Sequence, residues 1–144
     1  MAPINTGKLV IGAIAAGVVI NIVESIVNLF IIADQMEAML ASRNLPELGN
    51  TEMAGFTALA FMLGALVVWT YAAIRPRYGE GATTALKAGF AVWAAFYFLG
   101  TFTNWLMGFV GTDLFIITLA YTLPMMLAAG YVGGYLYREE PLGD

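Results

Sequence analysis

Apolar residues run almost unbroken through four stretches of the chain, 9–33, 54–74, 84–109 and 114–137, with short polar segments between them. A helix of roughly 20 mainly apolar residues crosses the hydrocarbon core of a bilayer, and each stretch is long enough. The strict polar–apolar alternation of a barrel strand is missing. In hydrocarbon only helices and closed barrels satisfy every backbone N–H and C=O. The pattern therefore predicts an all-α, polytopic integral membrane protein, a four-transmembrane-helix bundle, with residues 1–144 forming a single transmembrane domain. The first run begins beyond Lys8 and continues to about Ala33. That is too long for a signal-peptide core, and no small-x-small cleavage site follows, so a retained first span is expected.

The breaks between spans have chemical causes. Pro46 and Gly49 interrupt helicity after the first span, and Asn50 or Thr51 can cap the second, with Glu52 against its positive end. Pro76 disfavours helical geometry at Arg75, which predicts that the second span stops there. Gly79 and Gly81 form the next turn, Thr83 or Thr84 can cap the third span, and Gly111, Thr112 and Asp113 form a turn and cap before the fourth. The outer loop, 34–53, opens with good helix formers from Asp34 to Ser42. The first helix is thus expected to project beyond the membrane, carrying an apolar stripe of Met36, Met39 and Leu40, and to return through Asn44-Leu45-Pro46. This projection is a candidate docking surface.

A weak repeat adds to the picture. Residues 8–34 can be laid over 87–113, matching Lys8 with Lys87, Ala15-Ala16 with Ala94-Ala95, Phe30 with Phe109 and Asp34 with Asp113. Leu59-Ala60-Phe61 similarly resembles Leu119-Ala120-Tyr121. Such a repeat would make the bundle two parallel helical hairpins about an axis normal to the membrane, with a ligand site between the halves. Small-xxx-small pairs (Gly12/Ala16, Ala13/Gly17, Ala129/Gly133 and Gly130/Gly134) mark places where helix backbones can approach closely. Pro124 removes a backbone donor inside the fourth span and leaves the Ala120 carbonyl without its helical partner.

Charge sets the expected direction. Lys8, Arg75, Arg77, Lys87 and Arg138 fall on one side of the spans and only Arg43 on the other. Basic residues concentrate in cytoplasmic loops, so both termini are expected in the cytoplasm and the chain in the plasma (inner) membrane. Composition narrows the chemistry further. Sixty per cent of the residues are hydrophobic and 11% charged, against about a quarter charged in an ordinary soluble domain. There is no Cys and no His. Disulfides, thiolate catalysis, Fe–S clusters and zinc–thiolate sites are excluded, the usual axial ligand for haem is missing, and no cofactor is expected.

One acid stands inside a span. Glu24 lies in the outer half of the first, where an acidic side chain is costly and is by default a functional candidate. Asn21 and Asn28 share its helical face, and Ser25 lies beside it. The repeat places Thr103 and Asn104 at the matching depth of the third span. Asn21, Glu24, Ser25, Asn28, Thr103 and Asn104 are therefore the candidate ligand- or ion-binding residues, with no metal site and no catalytic set expected. The competing reading is a hydrogen-bonded polar cluster that glues helices together. Phe98, Phe102, Trp105 and Phe109 form an aromatic stripe that reads first as lipid-facing packing ending in an interfacial Trp, and second as a surface for an isoprenoid, quinone or carotenoid.

These features bear on three kinds of function. An enzyme is not expected, because no nucleophile–base pair is visible. A proton- or cation-linked small transporter or channel would use Glu24. The plan resembles that of the small multidrug resistance transporters in having four spans and a Glu in the first. It departs from them in the outer position of that Glu, the long first outer loop and the one-sided Lys/Arg bias. The favoured expectation is a non-catalytic accessory subunit, or a lipid- or hydrophobic-ligand-binding component of a membrane assembly. Expected partners are membrane lipids, with either copies of itself or other membrane subunits, and no nucleic acid.

Overall fold

The computed structural model describes residues 4–139. Among them the regular structure is entirely helical: α1 (Thr6–Phe30), α2 (Ala33–Ser42), α3 (Asn50–Tyr78), α4 (Ala82–Trp93), a π-helical turn (Ala94–Phe98), α5 (Leu99–Leu106) and α6 (Thr112–Leu136). α4, the π turn and α5 form one continuous rod. Four helical rods, Thr6–Phe30, Asn50–Tyr78, Ala82–Leu106 and Thr112–Leu136, are long and apolar enough to cross a membrane, consistent with an integral membrane protein.

The rods alternate in direction and close into a bundle in which α1 packs on α3 and α6, and α4 packs on α6 and α3. The core is built mainly from small and β-branched side chains, among them Ala16, Ile20, Val67, Val68, Ala88 and Ala129, filled in by Met126. Small residues let the backbones meet. A Cβ on Gly64 of α3 would lie 2.5 Å from the Gly17 nitrogen and 2.6 Å from the Ala13 oxygen of α1. On the other side of the bundle a Cβ on Gly130 of α6 would lie 2.7 Å from the Ala85 oxygen of α4. Gly12 meets Gly133 in the same manner between α1 and α6. All four small-xxx-small pairs lie in these contacts or are buried beside them. The repeat alignment would carry the Gly89–Gly130 approach onto Val10 and Thr70, whereas α1 and α3 meet most closely at Gly17 and Gly64.

Several helix ends differ from expectation. Glycines, not Asn50 or Thr51 and not Thr83 or Thr84, stand at the caps of α3 and α4. α3 starts after Gly49, whose N–H donates to the Glu52 carboxylate (2.8 Å), and α4 starts after Gly81, with Thr84 inside the helix donating to the Tyr78 carbonyl (3.3 Å). Two further corrections concern the end of α3 and the end of α1. α3 does not stop at Arg75. It continues through Pro76 to Tyr78 and ends where Gly79, at φ 83°, donates its N–H to the Arg75 carbonyl (2.9 Å). The proline ring is tolerated one turn from the terminus, and the positive φ of Gly79 provides the stop. Nor does α1 run unbroken into its projection. Ile31 and Ile32 both donate to the Val27 carbonyl (2.9 and 3.0 Å), the helix breaks, and α2 starts afresh at Ala33. Ile32 is buried at this corner. Met36, Met39 and Leu40 are the half-buried positions of α2, as the stripe predicts, and Asn44 ends it at φ 54° while Leu45 bonds back to Leu40 (3.0 Å).

Arg43 ties this segment to the bundle. Its guanidinium donates to the Phe109 carbonyl and lies over the Phe109 ring, 5.6 Å from the centroid. The contact is exposed, so Arg43→Ala is expected to change bundle stability by no more than about 0.5 kcal/mol. It should nevertheless speed proteolytic cleavage within 43–49 several-fold. Unchanged cleavage would show that the tie does not restrain the loop.

At the opposite end, the start of α1, the end of α3, the start of α4 and the end of α6 come together. Asn5 donates its N–H to the Tyr137 hydroxyl (3.3 Å), Gly81 donates its N–H to the Tyr71 hydroxyl (3.1 Å), and the Lys87 ammonium sits 4.5 Å from the centre of the Tyr78 ring. Five of the six basic residues are at or near this end of their helices. The Tyr137 hydroxyl in turn donates to Glu139 (2.9 Å).

Candidate functional site

Glu24 is held by three donors from three segments. The Tyr97 hydroxyl, on the π turn, donates to Oε1 (2.7 Å). The Tyr121 hydroxyl, on α6, donates to Oε2 (2.9 Å), and the Asn28 amide, one turn along α1, donates to the same oxygen (3.0 Å). Asn28 also bonds the Glu24 backbone carbonyl (2.9 Å), which fixes its rotamer. Glu24, Asn28, Tyr97 and Tyr121 are all half-buried. No lysine or arginine joins them, since all six basic residues lie near helix ends or in the loop after α2.

Local backbone geometry aims the tyrosines. In the π turn the Leu99 N–H reaches back five residues to the Ala94 carbonyl, so the turn accommodates one residue more than an α-helix would. Tyr97 sits on that turn. Tyr121 lies three residues before Pro124, in the part of α6 where the Ala120 carbonyl lacks the donor a non-proline residue would supply. A second polar link runs beside the first. Trp93 donates its indole N–H to the Thr122 hydroxyl (3.0 Å), and Thr122, fully buried, donates to the Thr118 carbonyl (2.6 Å). α6 is thus tied to the third rod twice, directly through Thr122 and Trp93, and through the Glu24 carboxyl group that Tyr121 and Tyr97 share.

No family model matches the sequence, and no curated protein or solved structure matches it either. The arrangement must be read from its own chemistry.

The six candidate residues divide. Glu24 and Asn28 are in the cluster. Asn21 bonds the Gly17 carbonyl (3.0 Å) and reaches the Thr57 carbonyl of α3 (3.4 Å), forming a separate link between α1 and α3. Ser25 is exposed. Thr103 and Asn104 are exposed and bond carbonyls of their own helix, those of Leu99 and Gly100 (both 2.8 Å), so they do not meet Glu24. The donors that do meet it, Tyr97 and Tyr121, were not among the candidates. A signal for them existed: a tyrosine in mid-span needs a partner for its hydroxyl, and Glu24 was the available acceptor.

Chemically, the cluster is a carboxyl group whose two oxygens accept three protons' worth of hydrogen bonding. A cation or proton reaching Glu24 would compete with the tyrosines for those oxygens. Among the described residues no three acidic side chains converge as a metal site would require.

Proposed function

We propose that this chain is a non-catalytic component of a membrane assembly, a four-span accessory subunit in which the intramembrane acid ties the bundle together. The supporting observation is that both Glu24 oxygens are engaged by Tyr97, Tyr121 and Asn28, so the carboxyl group is committed to joining α1, the π turn and α6. A polar network satisfied within its own chain has the form of helix–helix glue. The Lys/Arg bias supports a topology with both termini in the cytoplasm, in the plasma (inner) membrane. α2, with none of its residues fully buried, then offers a contact surface on the other face.

A second reading rests on the π turn. Such turns occur frequently at functional sites, and this one carries a direct partner of the buried acid. On that reading Glu24 is the proton or cation site of a small transporter or channel.

One experiment separates the two. Extraction from the native membrane in mild detergent, followed by native mass measurement, is expected to give a stable complex with other membrane subunits. Liposomes holding the purified chain should show no proton or cation flux. A lone homo-oligomer whose flux is lost in Glu24→Gln would replace the first reading with the second.

A further inference from the structure

A cavity of about 500 Å³ opens where the end of α3, the start of α4 and the end of α6 meet, far along the bundle from the two tyrosines that hold Glu24. Its size falls within the roughly 300–1,000 Å³ typical of small-molecule sites. Its lining is unusual for a bundle this apolar. Arg75 and Arg138 contribute two positive charges, and Glu80 and Glu139 two negative ones. The walls are aromatic, with Tyr71 and Tyr137 edge to face at 6.0 Å and Tyr131 and Tyr135 stacked at 6.4 Å.

Arg75 is the central group. Its side chain is only 15% exposed. One guanidinium nitrogen, Nη2, bonds Glu80, whose side chain is 76% exposed. The other, Nη1, is shielded from solvent and makes no hydrogen bond, although the Glu139 Oε2 lies 3.4 Å away. A shielded guanidinium N–H that faces its carboxylate only across an ion-pair distance, with no hydrogen bond formed, is under-satisfied, and planar guanidinium is suited to phosphate oxygens. A simple anion would nonetheless have to sit between two carboxylates. The balance of two cations and two anions instead matches a group carrying both signs. The setting matches too: tyrosines and arginines at the ends of apolar rods are the usual furnishing of the membrane–water boundary.

We propose that this cavity binds the headgroup of a zwitterionic phospholipid bearing a primary ammonium, the phosphoethanolamine type. The phosphate is taken by the Arg75 Nη1 side and by Arg138, and the ammonium by Glu139 and Glu80 at the mouth. This site depends on the chain lying in a bilayer and is independent of whether the chain is an accessory subunit or a transporter.

The test uses the full chain in nanodiscs of phosphatidylcholine containing equal minor fractions of phosphatidylethanolamine and phosphatidylglycerol, with native mass measurement of the lipid retained. Phosphatidylethanolamine is expected to be retained at least five-fold over phosphatidylglycerol. Arg138→Gln and Glu80→Gln alter exposed groups at the mouth and should each lower that preference at least three-fold with thermal unfolding unchanged. Arg75→Gln should abolish it, and the two rim variants keep the test valid should Arg75→Gln fail to fold. Equal or greater retention of phosphatidylglycerol overturns the proposal, as does a preference that survives both rim variants. Water-soluble glycerophosphoethanolamine at millimolar concentration should not displace the lipid. Full displacement would assign the cavity to a soluble phosphate compound and overturn the lipid assignment.

Discussion

Gly64→Ala is expected to cost the bundle about 2 kcal/mol, within the roughly 1–3 kcal/mol range of an overpacked contact. The added methyl would meet the backbone of α1, at the Gly17 nitrogen and the Ala13 oxygen, and backbone cannot rotate away as a side chain can. α1 must move off α3, which loosens the packing of Ala16 and Ile20 behind it. Gly55→Ala lies in the same helix with nothing within 4 Å of the new methyl. It should be neutral or stabilising by up to about 1 kcal/mol, because alanine favours helix over glycine by that amount. The pair separates steric approach from helix propensity within one element. Unfolding followed by circular dichroism in a mixed-micelle SDS titration measures both. Equal effects from the two substitutions would falsify the close crossing.

Glu24→Ala ranks beside it. Three side-chain hydrogen bonds vanish together, and membrane hydrogen bonds average about 0.6 kcal/mol with a maximum near 1.7, so a loss of about 2 kcal/mol is expected. Relief of the insertion cost of an acid, about 2.5–3.5 kcal/mol, does not offset this. For helices that span a bilayer the separated state is already inserted, so that cost is common to folded and unfolded states. Glu24→Gln keeps one carbonyl acceptor and should cost only about 1 kcal/mol. Tyr97→Phe and Tyr121→Phe should cost about 1 kcal/mol each. On a Glu24→Ala background either tyrosine substitution should have almost no further effect, since the bonds concerned are already gone. If the same SDS titration finds the effects additive, the cluster is not a single network.

The four rods were legible because hydrocarbon imposes a simple rule on length and polarity, and 9–33, 54–74, 84–109 and 114–137 obey it. The close crossings were half legible. Gly12, Gly17, Gly130 and Gly133 announce themselves by spacing; Gly64 and Gly89, which make two of the tightest approaches, have the same spacing from Ala60 and Ala85, but those pairs were not among the four named. Glu24 could be found because an acid in a span is rare. Its partners could not be found by depth-matching through a repeat, because the π turn shifts the face that the third rod presents after Trp93. Thr103 and Asn104 lie six and seven residues beyond Tyr97, exposed and bonded to their own helix. Pro76 misled for a different reason: rules for the residue before proline describe average preference, and the last turn of α3 is held by the Gly79 N–H instead.

The π turn also accounts for the aromatic surface. The rings of Phe90, Trp93, Phe98, Phe102 and Trp105 follow one another at 5.6, 5.7, 5.8 and 5.8 Å. Trp93 and Phe98 are five residues apart, and on a regular α-helix they would point about 140° away from each other. One extra residue in the turn realigns them. The third rod is therefore two helices out of phase, spliced so that a single insertion serves two sets of contacts: it turns Tyr97 to the acid and keeps the column of rings continuous, with Trp93 against the core and Phe102 and Trp105 against Phe115 of α6. Excising any one residue from 94–98 would leave a perfectly good helix and dismantle both at once.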